Sequence, residues 1–138
     1  MTKELWINLP VKDVNKSKEF FTKLGFSFNP KLSTNDESAC LVIGTNNVIV
    51  MLFKDSSFKN FTKNEIADTK KASEVLFSIG AESRIEVDEM ANKAAAAGGS
   101  IFGQPAEVQG WMYGCGFSDL DGHRWNMLYM DMNAMPKG

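Results

Sequence analysis

The chain has 138 residues, with 15 Lys and Arg against 17 Asp and Glu, one histidine and two cysteines. That length fits one compact domain or two packed half-domains, and 43% hydrophobic with 23% charged residues excludes disorder, collagen and coiled coil. A net charge of −2, with Arg84 and Arg124 the only arginines, argues against a nucleic-acid partner. No apolar run nears the ~20 residues of a membrane span and residues 1–13 hold no signal-like core, so a cytoplasmic protein without a membrane partner is expected.

In chain order, Leu5-Trp6-Ile7-Asn8-Leu9 alternates as a strand with Leu5, Ile7 and Leu9 on one face, and Pro10 is expected to break its ladder. Asp13 reads as the N-cap of a helix reaching Leu24, with Val14, Phe21 and Leu24 inward and Gly25 at its end. Phe26-Ser27-Phe28 and residues 39–43 and 48–53 read as strands, the last two joined by Gly44-Thr45-Asn46-Asn47. Residues 54–71 are polar and Lys-rich apart from Phe58, Phe61 and Ile66. A short helix at 63–68 is expected there, and a plain linker and a flap over something apolar stay equally open. A strand over 74–79 follows. Ser83-Arg84-Ile85-Glu86 then has the form of a capping box opening a helix through Ala97, stopped by Gly98-Gly99. Strands at 100–102, 111–117 and 123–130 close the chain, the last two flanking the turn Ser118-Asp119-Leu120-Asp121-Gly122.

Both halves thus read strand–helix–strand–strand–strand, and the interval from Val14 to Gly25 equals that from Val87 to Gly98, the mark of a duplication. The fold class is α+β, with two βαβββ modules forming a curved, mostly antiparallel, half-open sheet, helices outside and a concave face suited to a ligand. Module one spans residues 3–53, a linker or flap 54–72, module two 73–131, and a frayed tail 132–138. Cys40 and Cys115 lie in apolar strands and are expected as buried, reduced thiols.

Asn8-Leu9-Pro10-Val11-Lys12-Asp13, with Ser17, Phe20-Phe21 and Leu24-Gly25-Phe26 following, carries one half of a family likeness. The other half is Phe117-Ser118-Asp119-Leu120-Asp121-Gly122-His123-Arg124-Trp125, which is similar to a phenylalanine…DPDGH-tryptophan signature. In this order and spacing they resemble the vicinal oxygen chelate superfamily of lactoylglutathione lyases, bleomycin-resistance proteins and extradiol dioxygenases. The resemblance runs from Leu5 to about Met130. It implies two βαβββ modules, frequent homodimers, and one divalent cation that grips two adjacent substrate oxygens as a Lewis acid. Its ligand positions fall on Trp6, Met51, Glu74 and Asn126. Only Glu74 is a good ligand and Asn126 offers a neutral amide oxygen, so no cofactor is expected; a weak divalent site, were there one, would use those two. A single histidine precludes an iron triad within one chain.

Alternation puts Arg124, Asn126, Leu128 and Met130 on one face of the last strand, with His123, Trp125, Met127 and Tyr129 on the other. With Asn126 inward, His123 points away and reads as structural, while Arg124 either meets an anionic ligand or pairs with a rim carboxylate. The expected ligand-binding set is Trp6, Asn8, Met51, Glu74, Trp111, Tyr113, Arg124 and Asn126, aromatic and thioether surface with a few polar groups. Core packing competes as the role of Trp6, Met51, Trp111 and Tyr113. Buried, Glu74 would titrate high and serve as a general base; exposed, it is one more surface carboxylate. Three functions follow. The first is binding of a small molecule, in a homodimer and without a tightly held metal. The second is a lyase of the same superfamily, glyoxalase-like rather than dioxygenase-like, using a weak metal or Glu74 as base. The third is a structural or partner-binding module whose cup is filled.

Overall fold

The computed structural model describes residues 1–32 and 36–136, and the chain divides into two compact units, 1–68 and 69–138. Module one runs β1 (Ile7–Val11), α1 (Val14–Lys23), β2 (Ser27–Phe28), a 3-10 turn at Pro30–Leu32, β3 (Ser38–Ile43), β4 (Val48–Lys54) and α2 (Asp55–Thr62). Its strands lie in the order β1-β4-β3-β2, with β1 and β4 parallel and the other pairs antiparallel. The Asp13 carboxylate accepts the Lys16 N–H at 3.1 Å and so starts α1. Val14, Phe20 and Phe21 of that helix are buried, as are Leu9, Val11, Leu41, Val50 and Leu52 of the sheet. Burying each such large side chain contributes about 1.5–3 kcal/mol.

Module two repeats the scheme with β5 (Leu76–Ala81), α3 (Arg84–Ala96), β6 (Ser100–Val108), β7 (Met112–Ser118) and β8 (Arg124–Met130). The order is β5-β8-β7-β6, and again only the pair that includes the first strand is parallel. Ser83 Oγ accepts the Glu86 N–H at 3.1 Å, while the Glu86 carboxylate accepts the N–H of Glu82 at 2.7 Å. The buried positions of α3 are Val87, Met90, Ala91 and Ala94. The α+β class and the doubled βαβββ pattern are therefore as expected, with each module carrying its own four-stranded mixed sheet.

Three local expectations need correction. Strand β1 starts at Ile7 rather than Leu5 and includes Pro10. It is the edge strand of its sheet, and there a proline lacking an N–H is tolerated. Likewise β5 starts at Leu76, not Glu74. Counting back seven residues from the N-caps Asp13 and Ser83 matches Trp6 with Leu76, so the expected equivalence of Trp6 and Glu74 is off by two. Finally, the helix expected at 63–68 lies at Asp55–Thr62 and ends at Lys63 in the left-handed conformation, φ 58°. Its position follows the aromatic contact of Phe61 with Phe53 of β4, edge-on at 5.0 Å. In the tail, the Ala134 N–H bonds the Asp131 carbonyl at 3.0 Å; residues 137–138 lie outside the described residues.

The β7–β8 turn is built around a buried carboxylate. Asp119 Oδ1 accepts the N–H groups of Asp121 and His123, each at 3.0 Å, and Oδ2 accepts the indole N–H of Trp125 at 3.1 Å. The Thr69 hydroxyl donates to the Asp121 carbonyl. Gly122 has φ +84°, and a Cβ there would meet the Thr69 side chain, so both conformation and space demand glycine. Burial pushes the Asp119 carboxyl above its ordinary 3.8, against the opposing pull of His123 and the Trp125 N–H. A folded-state value above the unfolded one means the folded chain binds more protons, so this group's stabilising contribution declines as pH rises from about 3.8 through the raised value. Asp119→Asn should cost about 1–3 kcal/mol, since an amide N–H₂ then faces an N–H donor. The same variant should flatten that pH dependence, as urea melts at a series of pH values will read.

Candidate functional site

Each sheet has one face covered by its own helix, and strand parity decides which side chains reach the other. In module two the partners Phe117 and Trp125, and Cys115 and Met127, are buried on the α3 side. The alternate positions form rows on the open face: Ser100–Ser118–Arg124–Leu76, then Gly116–Asn126–Ser78, then Gly114–Leu128–Gly80. Two glycines in β7 leave that face bare. Phe102, at a register shift in β6, occupies the space over Gly116, where a Cβ would strike its ring. The Arg124 guanidinium stacks 4.4 Å from the Phe102 ring centroid.

Two clefts adjoin Arg124. One, of about 260 Å³, is bounded by Ser73, Glu74, Val75, Leu76 and Phe102 besides the arginine. The other, of about 370 Å³, includes Lys70, Ser100, Ser118 and Asp119 in its lining. On the same face the Asn126 Oδ1 is buried and accepts no hydrogen bond, the single such side-chain atom among the described residues. A buried acceptor without a donor costs about 1–3 kcal/mol, so its persistence calls for an explanation.

Glu74 is exposed, lies ahead of β5, and is brought into one cleft with Arg124. Asn126 follows Arg124 on the open side of β8. In module one, Asn8 and Met51 are direct partners across β1 and β4 and share the face opposite Leu9 and Leu52. Trp6 precedes β1 and is 52% exposed. Trp111 lies in the turn before β7, its carbonyl accepting the Asp131 N–H at 2.8 Å.

Tyr113 contradicts its expected placement. It shares the parity of Cys115 and Phe117, and its hydroxyl donates to Asp88 of α3 at 2.6 Å. Arg84 lies 5.0 Å over its ring and is bonded to Glu107 at 2.8 Å. The β7–β8 register sets this side opposite that of Asn126. His123 is buried, its N–H on Asp119, and belongs to the turn. Phe102, Ser100 and Ser118 were missed. The sequence signal for Phe102 was Gly114-Cys115-Gly116, a strand segment whose open side has nothing of its own. Cys40 and Cys115 are free and buried, and burial pushes both thiols above the ordinary 9.0, so neither is a poised nucleophile.

Residues 3–44 match the family model described as bleomycin resistance protein-like N-terminal. No curated protein matches the sequence. Among solved structures, a hypothetical protein from S. aureus is 35% identical with a TM-score of 0.84, covering 94% of this chain and 95% of that one. A glyoxalase/bleomycin resistance protein/dioxygenase family enzyme from Burkholderia phytofirmans PsJN is 15% identical with a TM-score of 0.76, covering 91% and 96%. A lactoylglutathione lyase from Agrobacterium tumefaciens is 15% identical with a TM-score of 0.67, covering 94% of each chain. At 15% identity these last two likenesses concern the fold.

The hydrogen bond to Asp88 holds the Tyr113 phenol above its ordinary 10.0. In a Tyr129→Phe background, spectrophotometric titration should show Asp88→Asn lowering the Tyr113 value toward 10.0. A tyrosine on the open face would not respond.

Proposed function

The chain belongs to the vicinal oxygen chelate superfamily, and from that footing we propose that it binds a small organic molecule on the open sheet face of module two, without a tightly held catalytic metal. The observation that carries the proposal is the buried, unpaired oxygen of Asn126 on a face that also presents Phe102, Arg124 and two clefts. A ligand N–H or O–H would satisfy that oxygen, and the Phe102 ring offers a flat apolar wall.

The donor set does not fit the cation on which the family's chemistry rests. Among the described residues no three His, Cys, Asp or Glu side chains come together as a metal group. Module two's open face holds a serine hydroxyl at Ser78 and an amide at Asn126, and module one's pairs the Asn8 amide with the Met51 thioether. Hard divalent cations want several anionic oxygens, and neither set supplies one. A second copy of the chain belongs to the same proposal, supported by the exposed Leu5 and Trp6 and readable by light scattering.

A metal-free lyase is the second reading, favoured by Glu74 and Arg124 lining a common cleft. There the carboxylate would take a proton from a substrate whose anion the guanidinium holds. Loss of turnover in Glu74→Gln with ligand binding intact would select this reading.

Asn126→Leu separates a ligand site from a filled, structural one. Removing the unpaired oxygen should raise stability by about 1 kcal/mol, as a near-isosteric apolar group replaces it. It should also abolish the thermal shift given by any compound that stabilises the native chain in a small-molecule screen. Dialysis against EDTA should leave that shift unchanged; its loss would overturn the metal-free part, and a screen without any shift would overturn binding itself.

A further inference from the structure

Resting on that binding proposal for its biological meaning, we infer that the cleft of about 370 Å³ at the Asp119 end of module two is an anion subsite. It takes the carboxylate or phosphoryl group of the small molecule. Ser100 stands opposite Ser118, and Ser118 opposite Arg124, so two hydroxyls and a guanidinium form a row across β6, β7 and β8. At ~4.8 Å between strands the row spans roughly 10 Å, the reach of one oxyanion and the group that bears it. All three side chains line the cleft.

The donors are uncommitted. Among the described residues Ser100, Ser118 and Arg124 make no side-chain hydrogen bond or ion pair to a protein group, and the arginine stacks on Phe102. Stacking holds the guanidinium plane while leaving its edge N–H groups for an oxyanion. Lys70 also borders the cleft and has a partner of its own, so the row of Ser100, Ser118 and Arg124 carries the site.

Neither Asp119 nor Glu74 pairs with the arginine. Asp119 turns its carboxylate to the N–H groups of Asp121, His123 and Trp125, away from the role of an ion-pair partner for Arg124. Glu74, in the neighbouring cleft, forms no ion pair with the arginine. The carbonyl end of α3 is closed by its own cap, with the Lys93, Ala94 and Ala95 carbonyls accepting the N–H groups of Ala97, Gly99 and Gly98.

Titration calorimetry of the full chain with inorganic phosphate and with acetate, at an ionic strength held constant with chloride, tests the subsite. Saturable binding of at least one anion is expected. Arg124→Gln should weaken it about tenfold or more, and Ser118→Ala about threefold. Arg124→Lys, which keeps the charge and loses the fork, should fall between native and Arg124→Gln, and it decides the matter should Arg124→Gln fail to fold. Arg84→Gln, on the α3 side, should bind as the native chain does. A preference for phosphate marks a phosphoryl ligand and a preference for acetate a carboxylic acid. Absence of saturable heat with both anions, or equal weakening in Arg124→Gln and Arg84→Gln, would overturn the inference. Neutral compounds that shift melting while both anions fail would remove the subsite and leave the binding proposal standing. Anions bound through Arg124 in a chain that fails the wider screen would do the reverse.

Discussion

A carboxylate shut inside the β7–β8 turn governs what module two can present. Asp119 accepts two backbone N–H groups and an indole N–H, so the turn closes in one geometry and the strands leave it in one register. A slip of one residue would turn every β8 side chain to the opposite face. Trp125 and Met127 would leave the α3 side, and Arg124 and Asn126 would leave the open one. Trp125 is the largest fully buried side chain, so the carboxylate that holds its indole also anchors the packing beneath the helix. The cost of burying the charge is visible in the raised Asp119 value, and the turn's hydrogen bonds offset it.

From that register the open face follows. Glycines at 114 and 116 remove bulk, Phe102 folds over one of the gaps, and Arg124 stacks on the ring. A face built for core packing would carry interdigitating aliphatic groups there. This one carries a stacked cation, two free hydroxyls and a buried oxygen without a donor. Polar groups left unpaired in this way destabilise the chain, which is the kind of deficit that binding sites retain.

Elements with strong local signals were legible before any coordinates. The Asp13 and Ser83 caps, the glycines after both helices and the alternation along β8 located the helices and the parity of Arg124 and Asn126. Strand starts were less legible, because Leu5-Trp6 and Glu74-Val75 extend an alternating pattern past the point where pairing stops. Tyr113 was misplaced for a related reason. Alternation puts it on the side of Cys115, and only the pairing of β7 with β8 reveals that this is the side opposite Asn126.

What the amino-acid sequence determined by itself is the duplicated α+β pattern, its family likeness and the poverty of ligating residues, because these depend on periodicity, caps and residue type. What the tertiary structure decided is which side chains meet. Ser100 reaches Ser118 and Arg124, and Phe102 reaches Gly116, through strand partners and a register shift that bring distant positions within a few ångströms. Periodicity within one strand fixes the face of a side chain, whereas its neighbours across the sheet are set by hydrogen-bond registers that no single segment encodes.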